Sequence, residues 1–100
     1  MSKLEYAVVS DLRRAIEVKK VIQFSCLGEQ YEVEPHLLGN AIRTRAMILI
    51  AWVRAPEAGW RTFRFSLIRA LEFSKETFHS ARPGFNPHDP RVESIDTLVK

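Results

Sequence analysis

Apolar positions along the chain change period near Val21. Before it, Leu4, Val8, Leu12, Ala15 and Ile16 recur at three-to-four spacing with Lys3, Asp11, Arg14 and Glu17 between them, which predicts an amphipathic helix from about residue 3 to 20. Ser2 and Glu5 have the spacing of a capping box, and Lys19 and Lys20 suit the negative end of the helix dipole. After it, Val21 to Cys26 and Gln30 to Glu34 read as two short strands around Gly28, with Tyr31 and Val33 on one face and the acids on the other. Pro35 is expected to close this hairpin, because it has no N–H for a ladder. His36 to Arg45 shows no clean period and reads as an irregular crossover.

Ala46 to Val53 is apolar at every position, as in a central strand covered on both faces. Pro56 and Gly59 mark a turn, Trp60 to Ser66 a further strand, and Ile68 to Phe73 a fifth. Within Trp60 to Ser66, Arg61, Phe63 and Phe65 share one face, while Trp60, Thr62 and Arg64 share the other. Pro83, Gly84, Pro87 and Pro90 make the region from Ser80 an irregular arm. Asp89 as N-cap and Pro90 at the first helical position then predict a short helix with Val92, Ile95 and Leu98 as its stripe. The expected fold class is mainly β (α+β): a small barrel of about five strands preceded by an N-terminal helix and followed by a C-terminal arm at 81–100.

Composition narrows the function classes. A chain of 100 residues with 46% hydrophobic and 27% charged residues is one ordinary globular domain. Six arginines between Arg43 and Arg69 face one acid, Glu57, so the net charge of +3 is concentrated in the central strands. The arginine fork suits phosphate and carboxylate. A solvated, snorkelling face is the plainer reading of the same residues. Cys26 is the only cysteine, which excludes an internal disulfide and a cysteine-based zinc site and fits a reducing, cytoplasmic compartment. The longest apolar run is far short of the ~20 residues a spanning helix needs, so no membrane partner is expected. His36, His79 and His88 are separated without a metal-binding spacing. No phosphate loop, nucleophile elbow or paired-carboxylate signature is present, so neither an enzyme nor a cofactor is expected.

In order and approximate spacing, several segments resemble the WYL-domain family over about Leu12 to Phe78. They are Ala15-Ile16, the Val21 strand, Val33-Glu34-Pro35-His36, Leu49-Ile50-Ala51-Trp52, Arg61-Thr62-Phe63-Arg64 and Ile68. The resemblance implies an SH3-like or Sm-like barrel within residues 1–80, with the helix at about 3–20 and strands at about 21–78. In bacteria such domains usually sit behind a DNA-binding module in transcription factors and look like sensors of nucleic acid or another anion. This chain is expected to be a divergent, stand-alone member. Met47-Ile48-Leu49 stand where the family has Trp-Tyr-Leu, and Ser66-Leu67 where Asp-Arg is usual, while Arg64 is retained.

The candidate site for an anionic ligand, single-stranded nucleic acid or a nucleotide therefore comprises Arg64, Arg61, His36, Arg43, Arg45, Arg69 and Trp60. Trp60 would stack on a base. His36 would fix a loop or join a basic pocket. The alternative for Arg64 is a structural ion pair with an acid such as Glu34. The alternative for the whole chain is a protein-interaction or self-assembly module, a homodimer through the C-terminal arm included.

Overall fold

In the computed structural model, which describes residues 5–100, a single helix packs on a strongly coiled six-stranded antiparallel sheet. The elements are α1 (Val9–Glu17), β1 (Lys20–Cys26), β2 (Glu29–Ala41), β3 (Met47–Ala55), β4 (Gly59–Arg64), a 3-10 turn η1 (Phe65–Leu67), β5 (Ile68–Thr77) and β6 (Val92–Leu98). The sheet order is β4-β3-β2-β1-β5, with β6 paired to β2.

Helix α1 is shorter than its apolar period. Leu12, Ala15 and Ile16 are fully buried, as their spacing requires, but Val8 is exposed and residues 5–8 are not helical. Pairing with β5 outcompetes the helix there: Tyr6 bridges Arg69, Ala7 N–H donates to Ile68 O, and Ala70 N–H donates to Glu5 O. The predicted capping residue Ser2, with Lys3 and Leu4, lies outside the described residues.

The β1–β2 hairpin turns through Leu27 and Gly28, both with positive φ (51° and 81°), as the tight turn that matches strand twist demands. Strand β2 then departs from expectation, because it runs straight through the segment read as a crossover. Its first half pairs with β1 up to Val33, and from Leu37 to Ala41 the same strand pairs with β6. Pro35 does not end the strand. It sits between these two partners, at a register shift opposite β3, where a missing N–H is tolerated. The crossover shrinks to a turn after Ala41, held by Arg45 N–H to Ala41 O and Ala41 N–H to Ala46 O.

The expected C-terminal helix is also corrected. Val92–Leu98 is strand β6, with Val92 opposite Ala41 and Leu98 opposite Leu37. The Asp89 side chain accepts from Arg91 N–H and grips the Arg91 guanidinium, making a turn and not a helix cap. Three-residue spacing of Val92, Ile95 and Leu98 misled because an edge position beside β2 offered backbone partners that a short helix lacks.

Backbone pairing does not close the sheet into the expected barrel, since β4, β5 and β6 each pair with a single strand and η1 joins β4 to β5 without a ladder. Side chains fill the concave side instead. Phe24 of β1 meets Phe63 of β4 edge-on at 4.9 Å, and Tyr31 meets Phe63 at 5.0 Å. Leu12, Ile16, Ile22, Val33, Leu49 and Ile68 complete the core around them. Burying such a set contributes roughly 1.5–3 kcal/mol per large side chain before chain entropy is subtracted.

Candidate functional site

The outer face of β2 is covered as well, which the alternation of acids did not foretell. Glu34, expected on a solvated face, is 2% exposed. The segment between β5 and β6 crosses over it, and Arg82 binds the carboxylate with both Nε (3.0 Å) and Nη2 (3.1 Å). Arg54 on β3 supplies a third bond from its Nε at 2.9 Å and reaches Glu76 with Nη1. Burial pushes the Glu34 carboxyl up, but the hydrogen bonds from Arg82 and Arg54 outweigh it and hold the group below its ordinary range.

His36 is fully buried beside this cluster. Arg82 N–H donates to its Nε2 at 3.0 Å, so the ring proton must sit on Nδ1, which donates to Glu34 O at 2.8 Å. Phe78 stacks on the imidazole at 5.2 Å, and Phe85 and Trp60 pack at 5.1 and 5.0 Å. Burial lowers the His36 pKa, helped by Arg82 and opposed by Glu34. His36 is therefore a neutral clamp holding the crossing segment, with no free nitrogen for a ligand.

The arginines divide into two groups. Arg13, Arg54, Arg82 and Arg91 have acidic partners within 3.0 Å. Arg61 and Arg64, both exposed on β4, have none among the described residues. They border a groove of about 430 Å³ between β4 and the β1–β2 tip, lined also by Cys26, Glu29, Tyr31, Phe63 and Leu67. Straight-strand parity puts Arg61 and Arg64 on opposite faces, yet both reach this groove because β4 is an end of the sheet. The Arg61 guanidinium lies 5.2 Å from the Tyr31 ring centre, an arrangement that leaves its fork available for an anion.

The other residues of the sequence-derived site are dispersed. Arg43 and Arg45 occupy the β2–β3 turn, with Arg45 Nε 3.8 Å from Glu93. Arg69 stacks on Tyr6 at 4.0 Å and donates to Ser66 O, so it is tied to η1. Trp60 packs against Trp52, His36 and Phe85 and lines a second groove, of about 450 Å³, with Thr62, Asn86 and Arg91. Glu34 pairs with Arg54 and Arg82, not Arg64. Sequence reasoning missed Arg82 because its partner lies on a distant strand; Phe78 and Phe85 flanking it were the available signal.

Cys26 is 8% exposed, and burial raises its pKa more than Arg61 and Arg69 lower it, so the thiol stays protonated. No group of three or more metal-ligating side chains converges among the described residues, and no helix there is long and apolar enough to cross a membrane.

One helix on an open, coiled, mainly β sheet defines a small α+β domain whose edge strand β4 carries two exposed guanidiniums without acidic partners among the described residues. Its fold is similar to part of proteasome accessory factor B/C (PafBC) of Arthrobacter aurescens, with a TM-score of 0.66 and 26% identity. The match covers 87% of this chain and 15% of PafBC, so the chain corresponds to a small portion of that protein, and it supports a WYL-like fold relation. No protein-family model matches the chain, and no curated protein matches its sequence.

Proposed function

We propose that this chain is a non-enzymatic, WYL-like regulatory binding module that takes an anionic ligand along β4. The observation that carries the reading is the pair Arg61 and Arg64, two exposed guanidiniums without acidic partners among the described residues, bordering one groove with aromatic walls. The likeness to PafBC supports the regulatory role, and a lone buried thiol suits the bacterial cytoplasm as its setting.

Single-stranded nucleic acid, a nucleotide and an acidic peptide segment all offer the required charge. Each neutralised phosphate would contribute roughly 0.7–0.9 to the log-log salt slope. The test is a fluorescence-anisotropy titration of labelled single-stranded DNA, RNA and an acidic peptide at two salt concentrations. The controls are wild-type protein and an Arg61→Ala/Arg64→Ala variant. Binding that weakens with salt, and roughly tenfold or more in the variant, is expected. The absence of salt-sensitive binding to all three probes refutes the proposal.

A second reading, a protein-interaction module without the family's ligand surface, is favoured by Met47-Ile48-Leu49. Leu49 is fully buried, Ile48 nearly so, and Met47 packs against the core, so these positions present no aromatic or polar group. Self-association through the C-terminal segment has less support, because β6 is already paired with β2 of its own chain.

A further inference from the structure

The β4 and β5 edges of the sheet are finished differently. At the β5 end, the chain's own residues 5–7 lie along the start of the strand, with Ala70 N–H donating to Glu5 O at 2.8 Å. Among the described residues, nothing pairs with the outer side of β4. Its register with β3 is also unbroken, from Val53 opposite Gly59 to Ile48 opposite Arg64, whereas the β1–β5, β2–β3 and β2–β6 pairings each contain a shift. No proline interrupts β4. A regular edge presents alternating N–H and C=O groups that a further strand can satisfy, and native proteins normally blunt such edges.

The only blunting device on β4 is its charge. Arg61 and Arg64 would oppose like charges if two copies paired edge to edge, and like charges directly across strands are unfavourable. The same residues favour a strand that carries carboxylates. One device thus rejects self-pairing and selects an acidic partner.

We propose that the β4 edge takes an extended acidic peptide segment of a partner protein by strand addition. The segment would lie in the groove between β4 and the β1–β2 tip, its backbone on β4, with one carboxylate on the face of Arg61 and a second, three residues away, on the opposite face at Arg64. The inference rests on the anion-binding reading of this groove and names its occupant. A phosphodiester chain supplies acceptors for the β4 N–H groups but no evenly spaced donors for the carbonyls, so it leaves half of the edge unsatisfied.

The experiment uses fluorescent peptides of about six residues with two Glu three positions apart among Val and Thr, a length typical of a strand, with the full chain. Two versions carry N-methyl groups on alternate amides, in opposite phase. Strand addition predicts that methylation in one phase weakens binding by roughly tenfold or more and in the other phase changes it less than about twofold. An Arg61→Glu/Arg64→Glu variant, checked for fold by circular dichroism, should lose the Glu peptide and bind its Lys counterpart. Equal sensitivity of the two phases, or binding of oligonucleotides alone, overturns the inference and leaves the anion-binding proposal standing. Absence of salt-sensitive binding to peptide and oligonucleotide alike overturns both.

Discussion

Replacing Glu34 by Gln keeps the shape of the side chain and removes the charge at the centre of the outer-face cluster. The amide has one oxygen where the carboxylate accepts three bonds from Arg82 and Arg54, and its NH2 would be turned toward a guanidinium donor. Breaking a fully buried ion pair costs about 3–5 kcal/mol. Here the arginine side chains are 26% and 40% exposed and can recover hydration, so a loss nearer ~2 kcal/mol is expected. For a domain of this size that corresponds to a fall of about 8–16 °C in Tm. Urea denaturation at neutral pH should show a lower midpoint with an unchanged slope.

Acidification supplies an independent arm. Because the folded pKa of Glu34 is depressed, its contribution is present above its ordinary value of 4.5 and is lost as pH falls through the folded pKa. The Glu34→Gln protein should therefore lose less stability than wild type across that window. A midpoint change equivalent to less than about 0.5 kcal/mol, or identical acid sensitivity in both proteins, would refute the role assigned to the cluster.

Leu27→Asn should stabilise the hairpin by about 0.5–1 kcal/mol, since asparagine tolerates the left-handed φ of 51° better and Leu27 is 81% exposed; a lower urea midpoint would contradict this. Gly39→Ala should destabilise by roughly 1–3 kcal/mol, because a Cβ there would run into Ser94 O, and amide exchange should quicken first in β6. Nitrogen-15 NMR of His36 should show the Nδ1–H tautomer at neutral pH and a pKa below 6.5, and an Nε2–H signal would undo the clamp. Asp96 should titrate at about 2, yet Asp96→Asn should cost under about 1 kcal/mol because its partner Arg13 is largely solvated.

Much of the sheet was legible because local patterns agreed with tertiary packing. Leu12, Ala15 and Ile16 marked the buried helix face, Tyr31 and Val33 the core side of β2, and Ala46 to Val53 the position of β3. The failures share a cause: the deciding partner lay far along the chain. Residues 5–7 were drawn out of a helix by β5, Val92–Leu98 into a strand by β2, and Glu34 under cover by Arg82. At the candidate site, the arginine-rich stretch was visible, but its division into structural and free guanidiniums depended on which acids the fold brought near. Arg54 and Arg61 look alike in sequence, and only one of them meets a carboxylate.

Strand β2 changes neighbours midway, from β1 to β6, and this imposes an order of assembly. The β1–β2 and β2–β3 pairings join segments close in sequence and close small loops, whereas Leu37 finds Leu98 only after nearly the whole chain has been placed. The first half of β2 can nucleate with the hairpins, while its second half must wait for the C-terminal strand. The same asymmetry holds in the native state: β6 pairs with β2 alone, so its opening leaves the β1–β2 and β2–β3 pairings intact. Proteolysis or hydrogen exchange would thus register the two halves of one continuous strand as belonging to different folding units.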